Sequence, residues 1–172
     1  MLKVVLTATL LVSLTACGAS ISTGGANGSG APGDGTTVIS MSRIGENKVQ
    51  NRQLDAVNAI RQSRGLSPVT VDPRLVQAAQ LHAEDMFKQK RPWNYGSDGS
   101  TPLDRVARVG YTGQLLGENV SETFEDDLNT LDAWVSDPTA SISILDERAR
   151  DIGIAWYQDD TGKIWWVQII GG

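Results

Sequence analysis

Among 172 residues the sequence holds one cysteine, Cys17, and one histidine, His82. A lone cysteine excludes an intramolecular disulfide and a thiolate metal site, so any folded domain here depends on packing. Basic clusters are scarce as well. The longest, Lys88-Gln89-Lys90-Arg91, sits in a chain of net charge −5, and the phosphate-neutralising patch of a nucleic-acid binder is missing. That cluster instead closes a helical pattern, where cations suit the C-terminal dipole. No apolar run is long enough for a permanent membrane span; residues 4–12, after Lys3, have the length of a signal-peptide core. Neither Gly-x-Ser-x-Gly nor Ser-x-x-Lys occurs, so no activated serine is written into the chain. Gly24-Gly25-Ala26-Asn27-Gly28 lacks the flanking strand and helix of a phosphate-binding loop.

What is present begins with Leu14-Thr15-Ala16-Cys17, directly after the apolar core. Small residues before a cysteine at such a place resemble the lipobox of bacterial lipoproteins. The resemblance implies a signal peptide over residues 1–16 and an acylated Cys17 that attaches the chain to a membrane. A single acyl chain holds only marginally, at about 0.8 kcal/mol per buried CH₂, so stable anchoring takes more than one. Gly18 stands where lipoproteins kept at the inner membrane of Gram-negative bacteria carry Asp. The implied location is therefore the outer membrane, facing the periplasm. Residues 17–44 read as the lipidated cysteine and a flexible tether of Gly, Ser, Thr and Ala. Such a tether spans about 30 Å on average and about 90 Å extended. Residues 45–172 are left as one domain, enough chain to bury about two thirds of its unfolded surface.

Within it, Leu54, Val57, Asn58 and Arg61, with Ile60 beside them, predict a helix over 49–64 that Gly65 stops. Asp72-Pro73 supplies an N-cap carboxylate and an N1 proline. From there Leu75, Ala78, Ala79, His82 and Met86 repeat on one helical face, ending near Lys90. His82 reads either as a packed, hydrogen-bonded core residue or as a ligand or base near Glu118. Residues 92–100 form a polar loop whose Trp93 and Tyr95 either line a cleft or cap the core. Thr101-Pro102-Leu103-Asp104 starts a third helix, ended by Gly110. Residues 111–120 read as a strand; a fourth helix starts at Thr123, buries Leu128, Leu131 and Val135, and stops at Asp137-Pro138.

The clearest strand pattern comes last. Ile152, Ile154 and Trp156 alternate on one side, as do Ile164, Trp166, Gln168 and Ile170 after a turn at Asp159-Asp160-Thr161-Gly162. Trp165, Val167 and Ile169 point the other way, so both sheet faces are apolar and need helices over them. The expected fold is of α/β class, a three-layer α/β/α sandwich with a C-terminal β-hairpin. Where its helical and hairpin halves meet lies Leu115-Leu116-Gly117-Glu118-Asn119-Val120. The Gly-Glu-Asn tripeptide decides little alone, since Gly45-Glu46-Asn47 repeats it in residues that read as linker.

Order and spacing add to this. Val57-Asn58 with Arg61, Ala78-Ala79 through His82 to Asp85-Met86, and Asp98-Gly99-Ser100-Thr101-Pro102 with Asp104-Arg105 come first. Gly110-Tyr111, Gly117-Glu118-Asn119-Val120, Trp134 and the Ile152-Gly153-Ile154 to Trp166-Val167-Gln168 hairpin follow. Together they resemble the CAP domain family of cysteine-rich secretory, antigen 5 and pathogenesis-related proteins, in its bacterial SCP-like branch, over residues 54–172. The resemblance implies the same α/β/α sandwich and a cleft where members often set two histidines and two acids, several binding a divalent metal. Glu118 matches the acid of the Gly-Glu-Asn motif. At the two histidine positions this chain has Asn94 and Ala140, and Asp137 falls near the second acid. With two imidazoles replaced, no zinc site and no cofactor are expected; Glu118 with Asp137 would at best hold a water-rich Mg²⁺ or Ca²⁺ weakly.

The expected function is a membrane-anchored, non-catalytic module. Its candidate cleft takes in Glu118, Asn94, Asp137, Tyr95 and His82 and binds a lipid, peptide or envelope component. The alternatives are a protein-interaction scaffold of the cell envelope and a weak hydrolase with Glu118 as general base. Glu118 itself either meets a ligand or holds a neighbouring loop.

Overall fold

The computed structural model describes residues 40–123 and 125–172. The expectations on the signal peptide, the lipid anchor at Cys17 and most of the tether lie outside the described residues. Helices are α1 (Met41–Ile44), α2 (Glu46–Ser63), α3 (Pro73–Gln89), α4 (Pro102–Arg108), α5 (Asp127–Ser136) and α6 (Ser141–Ile144). Strands are β1 (Thr70–Val71), β2 (Leu115–Thr123), β3 (Asp151–Gln158) and β4 (Ile164–Gly171). Among the described residues no helix is long and apolar enough to cross a membrane.

The strands form one sheet in the order β1-β3-β4-β2, with β1 parallel to β3 and the other pairs antiparallel. Alternation along β4 divides the core. Trp166 and Ile170 join Ile152 and Ile154 of β3 beneath Val57 of α2 and Leu131 and Trp134 of α5. Trp165, Val167 and Ile169 pack on the other face with Leu75, Ala79 and Met86 of α3 and Val106 of α4. The fold is thus the α/β/α sandwich that two apolar sheet faces require.

Local chemistry fixes the helix ends. Asp72 accepts hydrogen bonds from the N–H groups of Arg74 (2.8 Å) and Leu75 (3.4 Å), opening α3. Thr101 and Asp104 form a reciprocal capping box at α4. Along α2 the buried positions are Val49, Gln53, Val57 and Arg61, spaced by one helical turn. Burying Arg61 is tolerable because its guanidinium donates to the carbonyls of Ser67 (2.7 Å), Ile144 (2.7 Å) and Asp146 (3.0 Å).

Four local readings change. Met41–Ile44 are helical and Met41 is fully buried, so packed structure begins ahead of the expected boundary at 45, and Gly45-Glu46 is a helix junction rather than linker. The strand begins at Leu115 rather than 111 and runs on to Thr123, which pairs with Ile164 instead of capping a helix. The cap of α5 is Asp126, whose carboxylate accepts from the N–H groups of both Leu128 (3.1 Å) and Asn129 (2.9 Å). That shift turns Leu128 outward.

Candidate functional site

Glu118 stands in the middle of β2, and its side chain points to the layer of α3 and α4. Only 1% of that side chain is exposed, with 2% for His82 and 8% for Arg105 beside it. Arg105 Nε lies 3.3 Å from Glu118 Oε2, and His82 Nε2 lies 3.7 Å from Oε1. From the loop after α3, Asn94 Nδ2 donates to Glu118 Oε1 and to the Glu118 backbone carbonyl, both at 3.1 Å. Arg105 Nη2 donates to the Asn94 carbonyl at 2.8 Å, closing the ring of contacts.

The tautomer of His82 follows from its partners. Nε2 is 2.9 Å from the Trp93 carbonyl, which can only accept, so the proton sits on Nε2. Nδ1 is then free to accept from Arg105 Nη2 at 2.9 Å. Burial, with Arg105 close by, pushes the His82 pKa down to about 4, and the ring is neutral at pH 7. Burial pushes Glu118 up to about 7, against the opposing pull of the Arg105 guanidinium and the Asn94 amide. Arg105 is lowered by burial, with Glu118 opposing. Neither Glu118 Oε2 nor Arg105 Nη1 has a hydrogen-bond partner among the described residues, and the two side chains meet only through the 3.3 Å approach of Arg105 Nε to Oε2.

The loop that brings Asn94 here is itself anchored. Asp85 of α3 accepts from Ser97 N–H (2.7 Å) and Ser97 Oγ (2.6 Å), and Gly96 N–H donates to Ser100 O at 2.8 Å. Trp93 Nε1 donates to Gln89 Oε1 at 2.8 Å, near the end of α3.

An open cleft of roughly 580 Å³ lies along β2, bounded by Asn94, Glu118, Trp134, Asp137, Ala140 and Ile142 among others. The two positions where the resemblance implies histidines, Asn94 and Ala140, therefore face the same space. Asp137 is on its rim but is not paired with Glu118. Its Oδ1 accepts from the N–H groups of Thr139 (2.7 Å) and Ala140 (3.0 Å), which hold its pKa below the usual carboxylate value. Tyr95 is placed elsewhere. It is 51% exposed, packs on Trp93 with ring centroids 5.3 Å apart, and does not line the cleft. His82 sits behind the cleft in the Glu118 cluster. Asn119 secures the opposite wall, its Nδ2 donating to the Ala140 carbonyl at 3.1 Å.

Sequence reasoning missed Arg105 as the partner of Glu118. The available signal was an arginine directly after the N3 acid of a short capped helix, next to the core residue Val106.

Relatives agree with this architecture. The Bacillus subtilis protein YkwD is 28% identical over 127 residues, which is 71% of this chain and 47% of that protein. Among solved structures, an outer surface protein of Borrelia burgdorferi superposes with a TM-score of 0.67 at 15% identity, covering 72% of this chain and 92% of the other. An extracellular SCP-domain protein of Bacillus anthracis also gives 0.67, at 23% identity, covering 78% and 44%. The chain spans about half the length of the curated relative it matches. The model of the cysteine-rich secretory protein family, CAP, matches residues 54–170, and on that match together with the fold the chain belongs to the CAP family.

Proposed function

We propose that this chain is an extracytoplasmic CAP domain that binds rather than catalyses, held at the envelope by an acylated Cys17 and receiving a small ligand or an envelope component in the cleft beside β2. The observation that carries this reading is the state of Glu118. Its carboxylate is shut from solvent against Arg105 and Asn94, while the cleft next to it stays open. A general base must reach the proton it takes and pass it on. Here the acid faces a guanidinium, and His82 is neutral and engaged by Trp93 and Arg105.

The divalent metal implied by the resemblance does not fit these residues. Asn94 offers an amide already bonded to Glu118, Ala140 a methyl group, and Asp137 a carboxylate taken by two backbone N–H groups. An envelope location also accords with the descriptions of two structural neighbours, one an outer surface protein and one extracellular.

Native mass spectrometry of the mature chain, released from its membrane in mild detergent without chelator, tests the reading. The comparison is Ala133→Trp, which places an indole across the cleft from an exposed position on α5. We expect a bound mass that the variant loses at unchanged melting temperature. An empty chain in both samples would overturn the binding reading.

A further inference from the structure

We propose that the cleft takes an extended basic peptide, which adds to the free edge of β2 as a fifth strand. The proposal rests on the binding reading above and names the ligand class.

β2 stands at the end of the strand order and pairs with β4 alone. The phase of that pairing can be read from Gln114 and Gly172, which exchange both backbone hydrogen bonds, at 2.6 and 2.9 Å. Exchanging pairs recur at every second residue of an antiparallel ladder. With the observed register, Gly117, Asn119, Ser121 and Thr123 turn their backbone groups to β4. Glu118, Val120 and Glu122 turn theirs outward. The hydrogen bond from Asn94 to the Glu118 carbonyl agrees with that phase. The remaining outward groups are the Glu118 N–H and the N–H and C=O of Val120 and Glu122. None has a hydrogen-bond partner among the described residues.

Unpaired edges are usually blunted or covered. This one runs along the floor of a trough. The 580 Å³ cleft borders β2 over residues 116–121, and a second cavity of roughly 210 Å³ continues over residues 120–123; Val120, Ser121 and Ala133 belong to both. Pro92 and Asn94 form one wall and α5 the other. At about 3.3 Å per residue, the open edge matches roughly five residues of extended peptide, and a strand spacing of about 4.8 Å sets how near it lies. Main-chain pairing of this kind supplies affinity, and side-chain pockets supply selectivity.

The side chains define which peptide. Glu122, Glu125 and Asp137 line the two cavities, with the Glu118 carboxylate buried behind the strand, and no lysine or arginine does. Glu118 and Glu122 are paired with Arg105 and Lys163, which leaves Glu125 and Asp137 exposed near opposite ends of the trough. Ile142, 65% exposed beside Asp137, offers an apolar contact. A segment with basic residues and one aliphatic residue complements this trough.

The test uses the full mature chain in detergent and an acetylated nonapeptide of alternating lysine and valine, titrated calorimetrically. Two N-methylated versions carry methyl groups on alternate residues in opposite phase, so only one loses the N–H groups that would face β2. We expect the parent to bind, one methylated version to bind at least tenfold more weakly, and the other to bind nearly as well. Amide hydrogen exchange should slow at Val120 and Glu122. Val120→Pro removes an outward donor, leaves the β4 ladder intact and should weaken binding about tenfold with an unchanged circular dichroism spectrum. Equal affinity of the two methylated peptides overturns strand addition, and equal affinity of a glutamate-for-lysine peptide overturns the basic class. A native bound mass without peptide binding or edge protection overturns strand addition while the binding reading stands. Edge protection that vanishes on deleting residues 18–39 overturns the partner peptide in favour of the chain's own tether.

Discussion

Glu118 and His82, 3.7 Å apart, impose opposite pH dependences on stability. Glu118 has a folded pKa of about 7 against an ordinary 4.5, so its contribution is fully present below pH 4.5 and is lost as pH rises toward 7. His82 has a folded pKa of about 4 against 6.5, so its contribution is present above pH 6.5 and is lost as pH falls toward 4. Each effect is on the order of 3 kcal/mol when fully developed. In the wild type they nearly cancel between pH 4.5 and 6.5. Substitution separates them: Glu118→Gln should give stability that rises with pH across 4 to 6.5, and His82→Gln stability that falls across 4.5 to 7. Urea unfolding at several pH values reads both slopes, and two flat profiles would contradict the burial of this pair. This is where sequence reading reached its limit. The Gly-Glu-Asn motif marks Glu118 and the capped helix marks Arg105 as inward-facing, but nothing local pairs the two across the chain or turns Tyr95 away from the cleft.

The elements were more legible, because their signals are local. Asp72-Pro73 and Thr101-Pro102-Leu103-Asp104 are capping chemistry that acts where it is written, and the alternation through β3 and β4 is a direct record of two buried faces. β1, two residues long, carries no periodicity to read and forms only because β3 offers it a parallel edge. The end of β2 was misplaced because a threonine followed three residues later by an acid also spells a helix start, and the long-range pairing of Thr123 with Ile164 prevailed. Two substitutions probe element packing. Thr101→Ala should cost about 1 kcal/mol by removing the α4 cap, seen as a lower urea midpoint at unchanged slope. Gly153→Ala should cost about 3 kcal/mol or more, since a methyl group there would overlap the Leu75 carbonyl where α3 crosses β3. Wild-type stability in that variant would mean α3 can move off the sheet.

At the scale of the whole molecule, the proposed anchor and the domain are separable. Cys17→Ser should shift the protein from the membrane to the soluble fraction while the domain's melting temperature stays within a degree or two. A variant that still sediments with membranes would refute the lipid attachment. The order of the strands has a further consequence, for synthesis. β4 leaves the ribosome after the other strands of this sheet, yet it is the shared neighbour of β2 and β3, and all of its residues are buried. Until it emerges, β2 has no partner at all. The nascent chain must therefore expose the apolar faces of α2, α3 and β3 throughout elongation, a span in which a chaperone or translocation machinery would have to shield them, and premature termination anywhere before Ile164 would yield no partially working domain.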